Sequence, residues 1–581
     1  MTLFFMGSGG DGVITAGGLV LAAAANHGLV CHMTKSFGPQ IRGGESAAWL
    51  QLSPEPISSP PHGVDVMVVL SWKAYPQFRS QLVLAPGVLV IQDSADPTET
   101  PEGLVDAEGQ PVTPISLPLR EMSEMETGGH MARNVVVSGV VLGLLHLPSA
   151  PVREAVEKRL AKRGAQVVEA NLRALQRGLD LAGEGLLADQ GRPLPAGEQT
   201  DQLLLSGNDA VALGALYAGV DFFAGYPITP ASEVLVNLAT ELPAVGGSVV
   251  QAEDEIAAMT MVIGASFGGR KAMTATSGPG LSLKCEAIGL AIITETPCVI
   301  INVQRGGPST GLPTRTEQAD LNLAVHGAHG DAPRVVLGAE DVRACFDATV
   351  KSFYISERYQ TPVILVSDQL VAHRQETVPA DSIGDGAGFV KVTRRLEPQD
   401  SDGSYKRFEI NGSPITPMAS PGMKGRIYRT SGIVHREDGN PSSDPEIHQL
   451  MSEKLAAKMR LVLKEMGGTR LEGPADAVQG FIAWGSTVGA ALDAARAATA
   501  AGTPTSVLVV EMLSPLPAEA ILDYIAGVER VAVPELSFSG QFARHIRAEG
   551  VPLTGALLLN RAGGTPYTGP ELLSLIQEAW S

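Results

Sequence analysis

Cysteine is scarce in this chain, and its few thiols are far apart. The four cysteines are Cys31, Cys285, Cys298 and Cys345. A disulfide framework needs pairs of cysteines, and zinc or iron–sulfur sites need thiolates at close spacing. The sequence therefore predicts a cytoplasmic protein that carries no iron–sulfur cluster of its own.

Long apolar runs are also missing. The apolar stretch at residues 1–7 is short and has no basic leader, which does not fit a signal peptide. The longest apolar run, residues 135–147, is shorter than the ~20 residues that span a bilayer. We expect neither a secretion signal nor a membrane anchor.

Positive charge is in deficit. Lys and Arg number 43 against 62 Asp and Glu, which gives a formal net charge of −19. This balance disfavours a general role at nucleic acids or at anionic membrane surfaces. A local basic pocket for an anionic ligand stays open, because net charge averages over the whole surface.

The chain is rich in apolar sequence that alternates between strand-like and helix-like segments. With 581 residues, 44% of them hydrophobic, it can build three or four cores at about 150 residues per domain. The alternation predicts a multi-domain α/β protein of three α/β domains with mostly parallel sheets. We expect domains at 1–188, 201–375 and 471–581, with a polar linker at 189–199 and a connection with a helix at 376–470.

Several apolar runs of the second and third domains are strand candidates. Between them, residues 375–440 are charged and rich in Pro and Gly, which predicts a long surface connection. The strand candidates are residues 248–252, 271–276, 298–304, 362–367, 481–484, 506–511 and 528–534.

Two glycine-rich strings mark the first domain. Residues 7–12 follow a strand candidate and enter a helix, as a dinucleotide-binding loop does. A nicotinamide site would need an acidic residue about 20 positions later, and residues 33–35 offer none. NAD is therefore disfavoured, whereas another phosphate ligand or a plain tight turn stays open. In the second string, residues 35–46, Lys35 and Arg42 supply charge for phosphates.

In the second domain, two strings at predicted strand ends have both a functional and a structural interpretation. At residues 225–233, two prolines constrain the turn that carries the Thr229 hydroxyl. The same turn could be a simple helix entry with Ser232 as its cap. At residues 251–258, three acids begin an Ala-rich helix, which also suits a solvated helix start because acids there interact favourably with the helix dipole.

Two further strings suit close contact with a ligand. The Ser-Gly-Pro-Gly string at 277–280 forms a strand-to-helix loop that a flat ligand can approach. Residues 304–318 place Arg305 and Arg315 among glycines after a strand candidate, where open α/β sheets bind ligands. A guanidinium at that place could pair with a carboxylate through two hydrogen bonds.

Taken together, these strings resemble one known family, the 2-oxoacid:ferredoxin oxidoreductases. The likeness implies a gamma-type domain, a thiamine-diphosphate pyrimidine-binding domain and a transketolase C-terminal-like domain, in that order over nearly the whole chain. The fused gamma–alpha layout resembles the 2-oxoglutarate-specific members most. The alpha-subunit strings are residues 226–230, Glu255, 277–280, 304–318 and, for the 2-oxoglutarate subgroup, 306–312; the gamma-unit strings are 7–12 and 42–44.

The resemblance also implies roles for single residues. Glu255 would bind the aminopyrimidine of thiamine diphosphate and promote formation of the nucleophilic ylid. Thr229 would contact the oxoacid near its reacting carbon, and Arg305, with Arg315 as a close competitor, would hold a substrate carboxylate. The gamma unit, with Lys35 and Arg42, would help to bind coenzyme A. The cofactor-binding residues implied are Glu255, Ile228, Pro230, Ser277, Gly278, Gly9, Gly12, Lys35, Arg42 and Gly43.

The metal loop of thiamine enzymes is not evident. That loop is Gly-Asp-Gly with an asparagine roughly 25–30 residues later, a set of oxygen ligands for Mg²⁺. Residues 10–12 lack the asparagine, and residues 384–386 with Asn411 follow polar sequence, which favours coincidence. The family places Mg²⁺ and a four-iron, four-sulfur cluster on a beta subunit. The resemblance therefore implies a beta-subunit partner, ferredoxin as electron acceptor and a dimer of alpha–beta pairs.

The activity implied is coenzyme-A-dependent oxidative decarboxylation of 2-oxoglutarate to succinyl-CoA and CO₂ with reduction of ferredoxin, in either direction. Pyruvate and branched-chain or aromatic oxoacids are alternatives, because they use the same core. A non-redox thiamine decarboxylase or transketolase-like protein, a non-catalytic ligand-sensing chain and a NAD-dependent dehydrogenase stay open at this stage.

Overall fold

The computed structural model describes residues 1–37, 44–198, 200–384, 394–399 and 405–581. The amino-terminal part opens with a strand, a glycine-rich turn and a helix. Its elements in chain order are β1 (Thr2–Ser8), α1 (Val13–Asn26), β2 (Val30–Phe37), β3 (Glu45–Ser53), β4 (Val64–Val69), α2 (Tyr75–Phe78), β5 (Leu84–Asp93), β6 (Ile115–Leu117), α3 (Leu119–Thr127), α4 (Arg133–Leu145), α5 (Ala150–Leu160), α6 (Ala165–Ala182) and β7 (Gln202–Ser206).

The middle of the chain alternates strand and helix regularly. This alternation is that of parallel sheets whose strands are joined by helices. The elements are α7 (Gly207–Tyr217), β8 (Phe222–Gly225), α8 (Ser232–Glu241), β9 (Ser248–Gln251), α9 (Glu255–Phe267), β10 (Ala272–Thr276), α10 (Gly278–Ile293), β11 (Cys298–Gln304), α11 (Leu321–His326), β12 (Val335–Gly338), α12 (Val342–Tyr359), β13 (Pro362–Asp368), α13 (Gln369–His373) and β14 (Gln375–Pro379).

The last part of the chain begins with a long helix that follows the polar connection. Pro445 as the first helical residue and Asp444 as N-cap define where this helix starts. The elements are α14 (Pro445–Met466), β15 (Thr469–Glu472), β16 (Gln479–Ala483), α15 (Thr487–Ala500), β17 (Thr505–Val510), β18 (Met512–Ser514), α16 (Ala518–Gly527), β19 (Arg530–Glu535), α17 (Gln541–Ala548), β20 (Leu557–Asn560) and α18 (Gly569–Trp580).

The chain divides into two compact units. Unit 1 comprises Met1–Leu205 and His373–Ser382, and unit 2 comprises Ser206–Ala372 and Ile383–Ser581. Unit 2 holds both the second and the third predicted domain, and their strands share one buried apolar cluster. The individual domain boundaries stay predictions.

The sheet of unit 1 is mixed. Its strand order is β6-β5-β4-β1-β3-β2-β14-β7, with parallel pairing from β1 through β4 and β5 to β6 and antiparallel pairing among β1, β3, β2 and β14. Strand β1 is central and buried on both faces: Phe5 belongs to one apolar cluster, and Phe4 to another that includes Phe78. The glycine-rich turn therefore leaves the sheet from its middle.

The longest apolar run forms most of α4. Its valines and leucines are buried, and the helix packs against α1 and α6. Among the helices that the structure describes, none combines the length and the apolar character needed to cross a membrane.

Unit 2 contains two sheets, ordered β18-β12-β13-β11-β10-β8-β9 and β15-β17-β16-β19-β20. Neighbouring strands from β12 to β9 pair in parallel, and the edge strands β18 and β15 pair antiparallel. The predicted multi-domain α/β class with mostly parallel sheets is confirmed. Because parallel strands end at the same edge, the loops after β8, β9, β10 and β11 emerge on one side of the sheet.

The predicted strands of unit 2 agree with the observed ones to within a residue or two. Strand β11 (Cys298–Gln304) has the predicted bounds, and β19 (Arg530–Glu535) begins two residues after the predicted start. These strands are apolar and buried on both faces, so their limits in sequence are sharp.

The polar connection is less exposed than predicted. Its described residues from 405 to 444 form no helix or strand, yet Arg407 and Phe408 are fully buried. Arg395 is also buried, where it pairs with Glu357 at 2.8 Å and donates to the Ser266 carbonyl at 2.6 Å. The prediction of a surface connection is wrong for these residues, because each guanidinium reaches buried oxygen acceptors that composition does not reveal.

Candidate active site

The loops after four neighbouring strands of unit 2 carry the residues that the sequence singled out. The turn at 226–230 follows β8, Glu255 opens the helix after β9, Ser277 follows β10, and Arg305 follows β11. The strand order β11-β10-β8-β9 places these four loops side by side. The candidate active site is therefore at this edge of the sheet.

The turn after β8 is fixed by hydrogen bonds. The Asn208 side-chain amide donates to the Pro230 carbonyl at 2.8 Å and to the Glu233 carboxylate at 3.2 Å. Arg305 Nη1 donates to the Thr229 carbonyl at 2.6 Å, which joins the loops after β8 and β11. The Thr229 side chain is exposed, Ile228 is half-buried and Pro230 is buried. The hydroxyl of Thr229 is thus presented on a constrained backbone.

Glu255 is the buried acid of its string. Asp254 caps α9 by accepting a hydrogen bond from the Ala257 amide at 2.8 Å, and Glu255 is the first helical residue. Glu255 is 7% exposed, whereas Glu253 and Asp254 are exposed. A methyl group added at Gly280 would lie 2.9 Å from Glu255 Oε1. The solvated-helix-start interpretation therefore holds for the two neighbours and not for Glu255.

The loop after β10 brings unsatisfied polar groups to the same place. Ser277 is fully buried, and its Oγ has no hydrogen-bond partner among the described residues. Arg305 Nε is likewise buried and unpartnered in the described part of the chain. Buried donors without partners are costly unless a ligand or water satisfies them. These unsatisfied groups fit the polar edge of a flat ring such as an aminopyrimidine.

The two arginines of the 304–318 stretch differ in their surroundings. Arg305 is 7% exposed and points back to the turn after β8. Arg315 is partly exposed, its carbonyl accepts from the Gly306 amide at 3.0 Å, and its side chain packs against Gly564. Burial lowers the pKa of both guanidinium groups. Both lie on the loop after β11, and the choice between them as carboxylate ligand stays open.

The same loop is tied to the third predicted domain. Gln318 donates to the Trp484 carbonyl at 2.7 Å and accepts from the Leu536 amide at 2.9 Å. The Gly563 amide donates to Glu317 at 2.9 Å. The carboxyl-terminal sheet of unit 2 therefore fixes the position of the loop that carries both arginines.

Asp320 is a site residue that the sequence did not single out. It lies two residues beyond the end of the 304–318 string and accepts from Asn302 Nδ2 at 3.0 Å. A methyl group added at Gly278 would lie 2.7 Å from either of its carboxylate oxygens. Burial raises the pKa of Asp320 to about 6, against the lowering effects of Asn302 and Arg305. No sequence motif at this position indicates that the carboxyl group has a raised pKa.

The stability of Asp320→Asn relative to the wild type at the same pH should increase as pH rises from about 4 to about 6. An acid with a raised pKa binds its proton more tightly in the folded protein, so its ionisation destabilises the fold over that range. The melting temperatures of wild type and Asp320→Asn, measured across this range, would test the expectation. A difference that stays constant with pH would contradict it, and Glu253→Gln is the exposed control.

Unit 1 has a separate cavity of 810 Å³ beside its glycine-rich turn. Gly9 and Gly12 line it, together with Ser46 and the basic side chains Arg159 and Arg163 near the end of α5. Gly10 and Gly12 have φ values of 101° and 80°, which favour glycine. Amides of a turn that enters a helix, opposite two guanidinium groups, suit an anionic ligand.

A buried ion network holds this turn in place. Asp11 accepts from the Ser8 amide at 2.7 Å and from Arg133 at 2.6 Å, and Arg133 also binds Asp93 at 2.8 Å. The sequence did not point to Arg133, Arg159 or Arg163. A basic run at residues 158–163 was the available signal for the last two.

Three predicted site residues of the first domain are not among the described residues that line this cavity. Lys35 lies on β2 opposite Ala48 of β3 and is half-buried, and it is not one of the residues that line the cavity. Arg42 and Gly43 lie outside the described residues, as do residues 385 and 386 of the second Gly-Asp-Gly string. The proposed roles of these residues stay predictions.

Comparison with known proteins gives matches along the whole chain. The family described as pyruvate flavodoxin/ferredoxin oxidoreductase, thiamine-diphosphate-binding, matches residues 213–454, and pyruvate ferredoxin/flavodoxin oxidoreductase matches residues 2–181. The chain is 38% identical to 2-oxoglutarate synthase subunit KorA of Archaeoglobus fulgidus, over 61% of this chain and 95% of that protein.

Two further relatives cover nearly the full length. The chain is 30% identical to 2-oxoglutarate oxidoreductase subunit KorA of Mycobacterium tuberculosis, over 99% of this chain and 91% of that one. A solved structure superposes with a TM-score of 0.92 and 36% identity, over 100% of this chain and 99% of that one. It is the 2-oxoglutarate:ferredoxin oxidoreductase from Magnetococcus marinus with 2-oxoglutarate, coenzyme A and succinyl-CoA bound.

Proposed function

The chain belongs to the 2-oxoacid:ferredoxin oxidoreductase family as an alpha subunit fused to a gamma-type domain, and we propose that it oxidises 2-oxoglutarate to succinyl-CoA. Relatives at 38% and 30% identity are named for 2-oxoglutarate. The observation that carries the proposal is the meeting of Glu255, the Thr229 turn and Arg305 at one edge of the unit 2 sheet.

We propose that the pyrimidine end of thiamine diphosphate binds at this edge. When bound, the cofactor supplies a nucleophilic carbon that attacks the oxoacid carbonyl. Glu255 holds and exchanges a proton at the pyrimidine ring nitrogen, a role that its burial beside Gly280 supports. Ser277, Gly278, Ile228 and Pro230 form the walls around the ring.

The substrate proposal follows from the charges on the loop after β11. 2-Oxoglutarate is a dicarboxylate, and Arg305 and Arg315 supply two guanidinium groups on that loop. Arg305 donates to the Thr229 carbonyl, which keeps its guanidinium beside the residue that we propose to contact the oxoacid. One of the two arginines then pairs with the carboxylate next to the carbonyl, and we propose Arg305 for it.

The proposed reaction balances with ferredoxin and coenzyme A as co-substrates. The bond between C1 and C2 of 2-oxoglutarate breaks and CO₂ leaves. The coenzyme A sulfur bonds to C2 and its thiol proton is released, while two electrons pass singly to two oxidised ferredoxins. The products are succinyl-CoA, CO₂, one proton and two reduced ferredoxins.

The relatives are named as subunits, so the family enzyme has more than one chain. We propose that a beta subunit supplies the Mg²⁺–diphosphate site and the four-iron, four-sulfur cluster, and that two alpha–beta pairs form a dimer. A cytoplasmic location is part of the proposal, and cysteines that form no disulfide, Cys31 and Cys298 among them, fit a reducing compartment.

We further propose that the unit 1 cavity binds coenzyme A. Its phosphates would lie against the turn that Gly9, Gly10 and Gly12 contribute to the cavity wall, with Arg159 and Arg163 as counter-charges. Lys35, Arg42 and Gly43 remain additional candidates on the strength of the family resemblance. The cavity volume of 810 Å³ is within the range of sites for ligands of this size.

Replacing Arg159 by alanine should weaken coenzyme A binding by at least about ten-fold. A hydrogen bond to a charged group contributes roughly 1.5–3 kcal/mol, which corresponds to that loss. Isothermal titration of the purified protein with coenzyme A gives the dissociation constant. Arg153→Ala is the matched control, because Arg153 lies on the same helix and bonds Gln176 away from the cavity. Equal loss in both variants would contradict a site at Arg159.

The whole proposal is tested by coenzyme-A-dependent reduction of ferredoxin or a viologen dye by the anaerobically co-purified complex. 2-Oxoglutarate, pyruvate and 2-oxoisovalerate are compared at equal concentrations. We expect the highest kcat/KM with 2-oxoglutarate. Reduction that prefers another oxoacid would replace the substrate and keep the mechanism, and reduction with none would favour a non-redox thiamine enzyme.

A further inference from the structure

Lys284 on α10 is a lysine whose side chain is buried in the interior of unit 2. The residue is fully buried, and its Nζ has no hydrogen-bond partner among the described residues. Burying an ammonium group without a partner is costly, so such lysines are rare in cores. Leucine or methionine could fill a similar volume, so the charge is the property that lysine adds at this position.

The charges that act on Lys284 are Glu255 and Asp254, both at the start of α9. Helices α9 and α10 pack against each other, and Lys284 is four residues beyond Gly280, on the same face of α10. Gly280 is the position whose added methyl group would meet Glu255 Oε1 at 2.9 Å. Lys284 therefore lies one helical turn beyond the Glu255 carboxylate.

Lys271, a second buried lysine of unit 2, shows what a structural role requires. Lys271 precedes β10 at its amino end, and its Nζ donates to the Ala218 carbonyl at 2.7 Å. That ammonium is satisfied by the protein and faces away from the site edge of the strand. Lys284 has no such acceptor in the described residues, and a purely structural role does not account for it.

We propose that Lys284 is a positioning residue that stabilises the ionised form of Glu255 while Glu255 activates the bound cofactor. This inference rests on the proposed function. When Glu255 passes its proton to the pyrimidine ring nitrogen it becomes a carboxylate in a buried setting. The ammonium one turn away offsets that new charge without touching the substrate or the cofactor.

The pH dependence follows from the lysine itself. Burial lowers the pKa of Lys284 to about 8, against the raising effects of Glu255 and Asp254. The ammonium is therefore present below about pH 8 and is lost as pH rises through that value. Cofactor activation should fall over the same range in the wild type.

The test uses the complex loaded with thiamine diphosphate and Mg²⁺ and needs no substrate turnover. Exchange of the thiazolium C2 proton for deuterium is followed by acid quench and NMR from about pH 6 to about pH 10, a range that extends on both sides of the Lys284 pKa of about 8. The variants are Lys284→Met and Lys284→Gln, with Lys284→Arg as the charge-preserving rescue and Lys271→Met as the matched buried control.

We expect Lys284→Met to slow exchange by about ten-fold at neutral pH, the loss of one modest electrostatic contact, and to abolish the decline above pH 8. Its melting temperature should stay the same or rise, because a lone buried charge is removed. Lys284→Arg should restore exchange without the alkaline decline. Lys271→Met should melt lower and exchange normally.

Wild-type exchange in both Lys284→Met and Lys284→Gln would overturn the inference. A lower melting temperature with unchanged pH dependence would likewise assign Lys284 a packing role. Absence of exchange in the wild-type complex would instead overturn the proposed function, and the inference with it, so the two failures are distinguishable.

Discussion

Glu255→Gln should lower the rate of 2-oxoglutarate-dependent dye reduction by at least about 100-fold. Glutamine keeps the size of the side chain, but it cannot exchange a proton with the pyrimidine ring nitrogen, and such proton transfer contributes roughly 10²–10⁴-fold. The other two acids of the string cannot replace Glu255, because Glu253 and Asp254 face solvent whereas Glu255 is buried. Steady-state kinetics of the co-purified complex measures the effect.

The control for this prediction is Glu253→Gln, two residues earlier and exposed. It removes the same charge from the same string and should keep activity within about two-fold, since exposed substitutions are usually small in effect. Circular dichroism and the melting curve of both variants should match the wild type. Glu255→Gln activity within a few-fold of the wild type would remove Glu255 from the proposed role.

The site strings were predictable because of how parallel sheets are built. Apolar runs such as Cys298–Gln304 are buried on both faces, so their ends are visible in the sequence. Once four such strands share a sheet in parallel, the residues after them must meet at one edge. The prediction that placed Glu255, Ser277 and Arg305 after strands needed no knowledge of the packing.

Other parts of the site depend on packing between helices and loops. Lys284 stands in an ordinary helical pattern, and only the contact of α10 with α9 brings it near Glu255. Asp320 follows a loop of about fifteen residues, so its approach to Gly278 could not be deduced from spacing. Arg159 and Arg163 likewise gain significance only because α5 folds over the glycine-rich turn. Long-range contacts of this kind leave no periodic signal.

The prediction that the connection is exposed was partly wrong for the same reason, since its buried residues make long-range contacts. Its polar composition predicts a solvated loop, but Arg407 and two lysines of α14 surround Glu295 in the interior of unit 2. Arg407 donates to the Glu295 carbonyl at 2.8 Å, and Lys454 binds its carboxylate at 2.7 Å. Lys458 binds the other carboxylate oxygen. A single buried acid just after α10 therefore anchors both the connection and α14.

Glu295→Gln should destabilise unit 2 by about 3–5 kcal/mol, the usual cost of removing one member of a buried ion network. The amide keeps the shape but leaves the charges of Lys454 and Lys458 uncompensated, at 4% and 1% side-chain exposure. Differential scanning calorimetry should show a melting temperature lower by roughly 4–6 °C, as expected for a unit of this size. Glu437→Gln is the exposed control, since Glu437 pairs with Lys406 at the surface.

The pH dependence of the Glu295→Gln effect separates charge from packing. Burial acts to raise the pKa of Glu295, but Lys458 and Lys454 overcome it and lower the pKa to about 2. The ordinary value is about 4.3, so the ionised acid stabilises the fold above that pH and loses this contribution as pH falls toward 2. The melting difference between wild type and Glu295→Gln should therefore shrink with acidification.

The double variant Glu295→Gln with Lys458→Met should recover part of the loss, because it removes one uncompensated charge. Two results would mean that shape rather than charge holds the connection and α14 against α10. One is a melting difference that does not change with pH, and the other is a double variant that loses more stability than the sum of the losses of the two single variants.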